Sequence, residues 1–93
     1  MAVVLLTVEL HFPFAQSLKD KRMILRGVKD RAKKFNVSVA EVEHQDLWQR
    51  ATLAVVAVAT DGVQAEKELQ AVVNEIERAE PGFITRTEVE HLA

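Results

Sequence analysis

The polar stretch 41–46 holds the side chains best suited to chemistry. His44 and Asp46 lie close in sequence to Glu41 and Glu43. An imidazole among carboxylates could ligate a metal ion or take part in acid–base catalysis. This spacing corresponds to no known metal-binding or catalytic motif, and a solvated polar connection between strands has the same composition. We therefore predict neither a metal site nor a catalytic site here.

The other reactive groups are scattered along the chain. His11 and His91 lie at opposite ends of the sequence, there is no Cys, and only three Gly are present, too few and too dispersed for a glycine-rich phosphate loop. No nucleophile lies beside a base at a recognisable spacing. We predict that the protein is not an enzyme and has no cofactor, with a small-ligand sensor as the less favoured alternative.

A dense group of cations follows one predicted helix, Ser17–Phe35. Ser17 is suited to cap its N-terminus, with Asp20 three residues on, and Asn36 is suited to a left-handed cap at its C-terminus. Eight basic and two acidic residues give the segment a net charge of +6, whereas four basic and twelve acidic residues leave the rest of the chain at −8. The apolar residues recur at helical spacing: Leu18, Leu25, Val28, Ala32 and Phe35.

Two interpretations of the basic helix are open. An exposed helix face is often charged for solvation alone, but a face of one sign on an otherwise acidic chain is also typical of a surface that binds phosphates or an acidic protein. For phosphates, the predicted partner is RNA or the ribosome, and the cations position the phosphate backbone without reading sequence. The predicted nucleic-acid-binding residues are Lys19, Lys21, Arg22, Arg26, Lys29 and Lys33.

The elements that would position these residues follow from periodicity. A second helix begins at Asp61, with Gln64 at the capping-box position, and ends before Pro81-Gly82. Four predicted strands complete the chain: Val3–Phe12, Val37–Glu43, Arg50–Thr60 and Phe83–Leu92. The order β-α-β-β-α-β predicts one ferredoxin-like α+β domain over residues 1–93. Its antiparallel four-stranded sheet has strands one and three at the centre and two helices on one face.

One face of this sheet is expected to be open and apolar. Val4, Leu6, Val8, Leu10 and Phe12 should meet the helices, which leaves Val3, Leu5 and Thr7 on the other face. Their partners on the third strand are Ala51, Leu53, Val55 and Ala57 in one register, or Thr52, Ala54, Val56 and Val58 in the other. An open apolar face favours a homodimer, with Val3, Leu5, Leu53 and Val55 as the predicted interface. The only Trp, Trp48, is expected to pack against a loop or a subunit rather than to stack a base.

Composition limits the class of protein. Hydrophobic residues make up 48% of the chain and charges are mixed, which is typical of a folded globular domain. The longest apolar run, Ala51–Ala59, contains Thr52 and is too short for a bilayer, and the N-terminus lacks the basic region of a secretory signal. With no Cys, these features favour a cytoplasmic protein without membrane contact.

Two motifs carry a resemblance to a known family. Ser-Leu-Lys-x-Lys-Arg spans residues 17–22, and Ala-Glu-Val-x-x-x-Asp-x-Trp-Gln spans residues 40–49. Together with the element order they resemble the YlxP-like family, small bacterial proteins of unknown function, over nearly the whole chain. The resemblance implies a ferredoxin-like fold, and the encoding of members beside translation-initiation and ribosome-maturation factors implies a link to RNA or ribosomes. It supplies no catalytic residues. The matching positions are Ser17, Leu18, Lys19, Lys21, Arg22, Glu41, Asp46, Trp48 and Gln49.

Overall fold

A computed structural model describes all 93 residues, Met1–Ala93. Its six elements follow the predicted order: β1 Ala2–His11, α1 Leu18–Ala32, β2 Val37–Glu43, β3 Arg50–Ala59, α2 Gly62–Ala79 and β4 Ile84–His91. The strands form one sheet in the order β2-β3-β1-β4, and each neighbouring pair is antiparallel. The ferredoxin-like arrangement predicted from the sequence is confirmed, including the central position of the two most apolar strands.

Side-chain oxygens cap the N-termini of both helices, as predicted. The Asp20 N–H donates to Ser17 Oγ at 3.1 Å, and the Gln64 N–H donates to Asp61 Oδ1 at 2.8 Å. Each bond satisfies one of the amides that a first helical turn leaves unpaired. The caps fix where the two helices begin relative to the sheet.

The C-terminus of α1 differs from the expected left-handed cap. The helix ends at Ala32, and after the cap residue Lys33 the amides of Lys34 and Phe35 bond to carbonyls three residues back in a tightened final turn. Asn36 has no positive φ. Its N–H instead donates to Glu68 Oε1 on α2 at 3.0 Å, so a contact between elements replaces the local cap.

Register decides which residues of the central strands face the helices. Val4, Leu6, Val8, Leu10 and Phe12 are buried, as predicted. On β3 the buried set facing the helices is Ala51, Leu53, Val55 and Ala57, while Thr7, Leu5 and Val3 pair with Ala54, Val56 and Val58. The predicted interface residues Leu53 and Val55 are therefore wrong, because antiparallel pairing with Val8 and Leu6 places them in the core.

Both helices and the sheet contribute to one hydrophobic core. It includes Leu25, Val28 and Ala32 from α1 and Leu69, Val72 and Ile76 from α2. Neither helix combines the length and apolar character needed to cross a membrane.

Candidate nucleic-acid interface

Five cations form a line along α1 and its C-terminal cap. Their spacing of three, four, three and four residues keeps them on one side of the helix; they are Lys19, Arg22, Arg26, Lys29 and Lys33. At a rise of about 1.5 Å per residue, this basic row extends about 21 Å. None of the five lies within 4.0 Å of a carboxylate, since the ion pairs of the protein involve other cations. The positive charge of the row is therefore not neutralised within the molecule.

The other basic side of α1 is occupied by contacts with α2. Arg31 Nη1 lies 3.3 Å and Lys34 Nζ 4.0 Å from Glu75 Oε2, and Arg78 Nη2 lies 2.8 Å from the same atom. The hydrogen bonds from Arg78, followed by its charge and by Arg31 and Lys34, hold the pKa of Glu75 below its ordinary value against the opposing effect of desolvation. Glu75 of α2 thus pairs with Arg31 and Lys34 and leaves the basic row free.

The basic row borders a groove between α1 and the edge strand β2. Arg22, Arg26, Lys29 and Lys33 line it, and its volume is about 380 Å³. Two carboxylates also line the groove, Asp30 and Glu41. Because Glu41 is paired with a different lysine, four cations face one unpaired carboxylate, and the groove attracts anions.

The lysine paired with Glu41 is Lys21, and its side chain does not belong to the basic row. Its side chain is 2% exposed; Nζ lies 2.9 Å from Glu41 Oε2 and donates a hydrogen bond to the carbonyl of His44. Glu41 Oε2 is buried and accepts no well-directed hydrogen bond, so charge attraction holds the pair. The predicted contact between Lys21 and nucleic acid is wrong, because the ammonium is enclosed between α1 and β2.

The sequence did contain a signal for this burial. In the apolar stripe of α1, Leu18 and Leu25 are seven positions apart. Position 21 lies between them at the helical spacings of three and four residues. A lysine in the apolar stripe of a helix requires a carboxylate partner. Glu41 faces the core side of β2, next to Leu53 in the strand pairing, and meets that requirement.

The connection 44–49 is fastened to the loop that precedes α1. Gln49 Nε2 donates to the carbonyls of Pro13 and Ala15 at 3.2 and 3.1 Å, and the Phe12 N–H donates to the Gln49 carbonyl at 2.8 Å. His44 has a φ of 64° and its carbonyl also accepts from the Leu47 N–H. The polar stretch 41–46 therefore serves as a structural connection, and no three His, Asp or Glu side chains converge as a metal ion would need.

Trp48 is not covered by a loop, so of the two contacts expected from the sequence the loop is wrong and the subunit contact stays a prediction. Its side chain is 52% exposed. It lines an open groove of about 400 Å³ with His11, Asp46, Leu47, Gln49 and Arg50. This groove lies at the end of the molecule where α1 begins, since Gln49 and His44 are bonded to the segment 13–21.

Comparison with known proteins places the chain in a family. The family model "Protein of unknown function (DUF503)" matches residues 3–89. The chain belongs to the DUF503 family. It is 47% identical over 81 residues to the "Uncharacterized protein YlxP" of Bacillus subtilis (strain 168), with 80% of this chain and 84% of that protein covered. The resemblance drawn from the two sequence motifs is confirmed.

Solved structures share the fold of this DUF503 member. A de novo designed protein with ferredoxin fold, LFR1 1, has a TM-score of 0.57 at 15% identity, covering 98% of this chain and 83% of its own. The de novo designed protein Foldit4 has a TM-score of 0.55 at 13% identity, covering 99% and 96%. At such low identity these likenesses concern the fold alone.

The two motifs meet in space. Ser17 caps α1, Lys21 pairs with Glu41, and Gln49 joins the second motif to the segment before the first. These residues therefore have structural roles. The motif residues whose side chains remain at the surface are Lys19 and Arg22, in the basic row, and Asp46 and Trp48, in the Trp48 groove.

Proposed function

We propose that this protein is a non-enzymatic RNA-binding module that holds phosphates along the basic row of α1, on free or ribosomal RNA. The observation that carries the proposal is the row itself: five cations in line over about 21 Å, none within ion-pair distance of a carboxylate. Unpaired cations in a line match the repeating charge of a polynucleotide backbone better than the isolated charge of a small ligand.

The net charge of −2 shapes the expected binding. Repulsion from the rest of the chain, whose net charge is −8 outside residues 17–35, opposes non-specific adsorption of RNA, so that binding depends on the row being oriented toward the phosphates. The predicted contacts are Lys19, Arg22, Arg26, Lys29 and Lys33, without Lys21. These cations position the backbone and do not read the sequence.

A salt series measures the number of phosphates bound. Five phosphate contacts on a single strand predict a slope of about −3.5 when the logarithm of the RNA-binding constant is plotted against the logarithm of the salt concentration. The affinity should therefore fall roughly 100-fold between 50 and 200 mM salt. Reversing two charges in the row, Arg22→Glu with Arg26→Glu, should reduce the affinity at low salt and flatten the slope to about −2. Fluorescence anisotropy with labelled RNA gives both numbers.

A charge-matched control separates the row from net charge. Lys67→Glu with Arg86→Glu makes the same change in charge on α2 and β4, away from α1. It should leave the slope near −3.5 and change affinity little. Equal losses in the two double variants, or an affinity insensitive to salt, would remove the support for the row as the binding surface.

We propose self-association through the open sheet face as a second function. The supporting observation is the apolar character of that face: Val3, Leu5, Ala54 and Val56 are only partly covered, and Val58 is 52% exposed. A sheet face that meets water normally carries polar residues at these positions. A second copy of the chain presents the same apolar face and is the proposed partner.

Sedimentation equilibrium at micromolar concentration tests this second function. The wild-type protein should be a dimer, and Val56→Glu should shift it to monomer because a carboxylate in an apolar interface loses its hydration. Val63→Glu, at an exposed apolar position at the start of α2, is the control and should keep the dimer mass. A monomer mass for the wild type at every concentration would contradict the proposal.

A further inference from the structure

We propose that the Trp48 groove holds an unpaired nucleobase, so that the RNA recognised by the protein is single-stranded. The inference rests on the proposed RNA-binding function and adds the class of RNA. It comes from a different part of the molecule, the connection 44–49 and the adjoining ends of β1 and β3.

The groove has the chemistry of a base-binding site. The indole of Trp48 is half exposed and has no aromatic partner within the protein, where the one aromatic pair is Phe12–Phe83. An exposed indole supplies a flat apolar surface on which a base of any sequence can stack. The only other apolar residue of the lining is Leu47.

Hydrogen-bonding groups surround this apolar surface. The Asp46 carboxylate accepts hydrogen bonds, the Arg50 guanidinium donates them, and His11 can do either. Gln49 Nε2 is already used by the carbonyls of Pro13 and Ala15, which holds that side chain in place. Mixed donors and acceptors beside an aromatic face suit the edge of a base, and the volume of about 400 Å³ lies in the range of ligand sites.

The groove is connected to the basic row at its N-terminal end. Lys21, between Lys19 and Arg22 of the row, donates to the carbonyl of His44, which begins the connection that carries Trp48. His11 and Arg50 pair at the end of the sheet and, unlike the basic row, belong to its open face. A polynucleotide that occupies both sites must therefore bend around the connection 44–49. A single strand can bend in this way, whereas a duplex, with a persistence length of about 150 base pairs, resists bending.

The single Trp makes the site directly observable. With one Trp and no Tyr in the chain, fluorescence excited at the indole band reports on residue 48 alone. A ten-nucleotide oligoadenylate should quench this emission as it binds, because a base stacks on the ring. Inorganic polyphosphate of matched charge should bind the row, displace labelled RNA, and leave the emission unchanged.

Variants measure the contribution of stacking to affinity. Trp48→Ala should weaken oligoadenylate binding about tenfold or more, within the range seen when a stacking aromatic is removed. It should leave polyphosphate binding as it is, and Trp48→Phe should recover part of the loss. Phe14→Ala is the matched control: Phe14 is 86% exposed on the neighbouring loop but does not line the groove, so its removal should not change the affinity.

The outcomes separate this inference from the function on which it rests. If oligoadenylate and polyphosphate both bind with the salt slope of the row but emission and the Trp48→Ala affinity do not change, the base site is wrong and the RNA-binding function stands. If neither polyanion binds, the proposed function fails as well. A duplex that binds as tightly as the single strand and quenches equally would also overturn the inference.

Discussion

The buried ion pair between Lys21 and Glu41 allows a quantitative test of how α1 is held against β2. In Lys21→Met the ammonium is lost while an apolar stem of similar length remains, and Glu41, whose side chain is 19% exposed, loses its one charged partner. Removing one member of a buried pair costs about 3–5 kcal/mol because the other charge stays buried without compensation. A domain of this size has a total stability of about 5–14 kcal/mol, so the variant should lose about a fifth of it or more.

The double variant shows whether the cost comes from charge or from packing. Lys21→Met combined with Glu41→Leu removes both charges and keeps apolar volume between α1 and β2. The carbonyl of His44 retains the Leu47 N–H as a donor, so it is not left unpaired. Replacing a whole buried pair with apolar residues is often neutral or stabilising, and the double variant should be more stable than Lys21→Met alone.

Urea denaturation followed by circular dichroism and Trp48 emission gives the free energies of unfolding. In thermal denaturation, Lys21→Met should also lower the melting temperature by about 12 °C or more, at about 4 °C or more per kcal/mol. The difference should persist in 1 M salt, which screens surface pairs but not buried ones. Lys34→Met, in the turn that follows α1 and with an exposed side chain 4.0 Å from Glu75, is the control and should change stability by less than about 0.5 kcal/mol.

Two results would refute this reasoning. A cost below about 1 kcal/mol for Lys21→Met would show that the ammonium is not enclosed. Additive costs in the double variant, with a coupling below about 0.5 kcal/mol, would show that the two side chains do not interact. At a temperature where it is folded, Lys21→Met should also keep the wild-type affinity for RNA, because Lys21 is not part of the basic row.

Three further predictions concern stability. Because contacts with Arg78 lower the pKa of Glu75 in the folded state, its contribution should be complete above the ordinary glutamate pKa of about 4.3 and lost as pH falls through the lowered value. A pH series of urea midpoints should therefore show the gap between wild type and Glu75→Gln closing in acid, and a constant gap would contradict the assignment. Ser17→Ala should cost about 1 kcal/mol by thermal denaturation, since the amide of the third helical residue loses its acceptor. Gln49→Ala should cost about 1–2 kcal/mol, because two loop carbonyls lose their donor.

Local signals in the sequence determined the elements and their order. Alternation of apolar residues in β1, the side-chain caps at Ser17 and Asp61, and the stop at Pro81-Gly82 are interactions within a few residues, so they can be recognised without knowing the fold. The ferredoxin-like topology followed from six such elements, because the handedness and length of connections leave few other arrangements. The cations of the basic row were also recognisable, since their spacing on one helix depends only on the helical period.

Tertiary structure decided which of those residues are available at the surface. Lys21 and Lys19 are both lysines on one helix, but only Lys21 falls in the stripe that faces β2, where Glu41 neutralises it. The register of β1 with β3 buried Leu53 and Val55 and exposed Val58, and a one-residue shift would have reversed this. The exposure of Trp48 was equally beyond sequence reasoning, because it depends on bonds from Gln49 to the segment 13–15, more than thirty residues away. Contacts between distant segments leave no local periodicity in the sequence. In this protein such contacts decide that Lys21 is paired in the interior while the cations of the basic row stay unpaired at the surface.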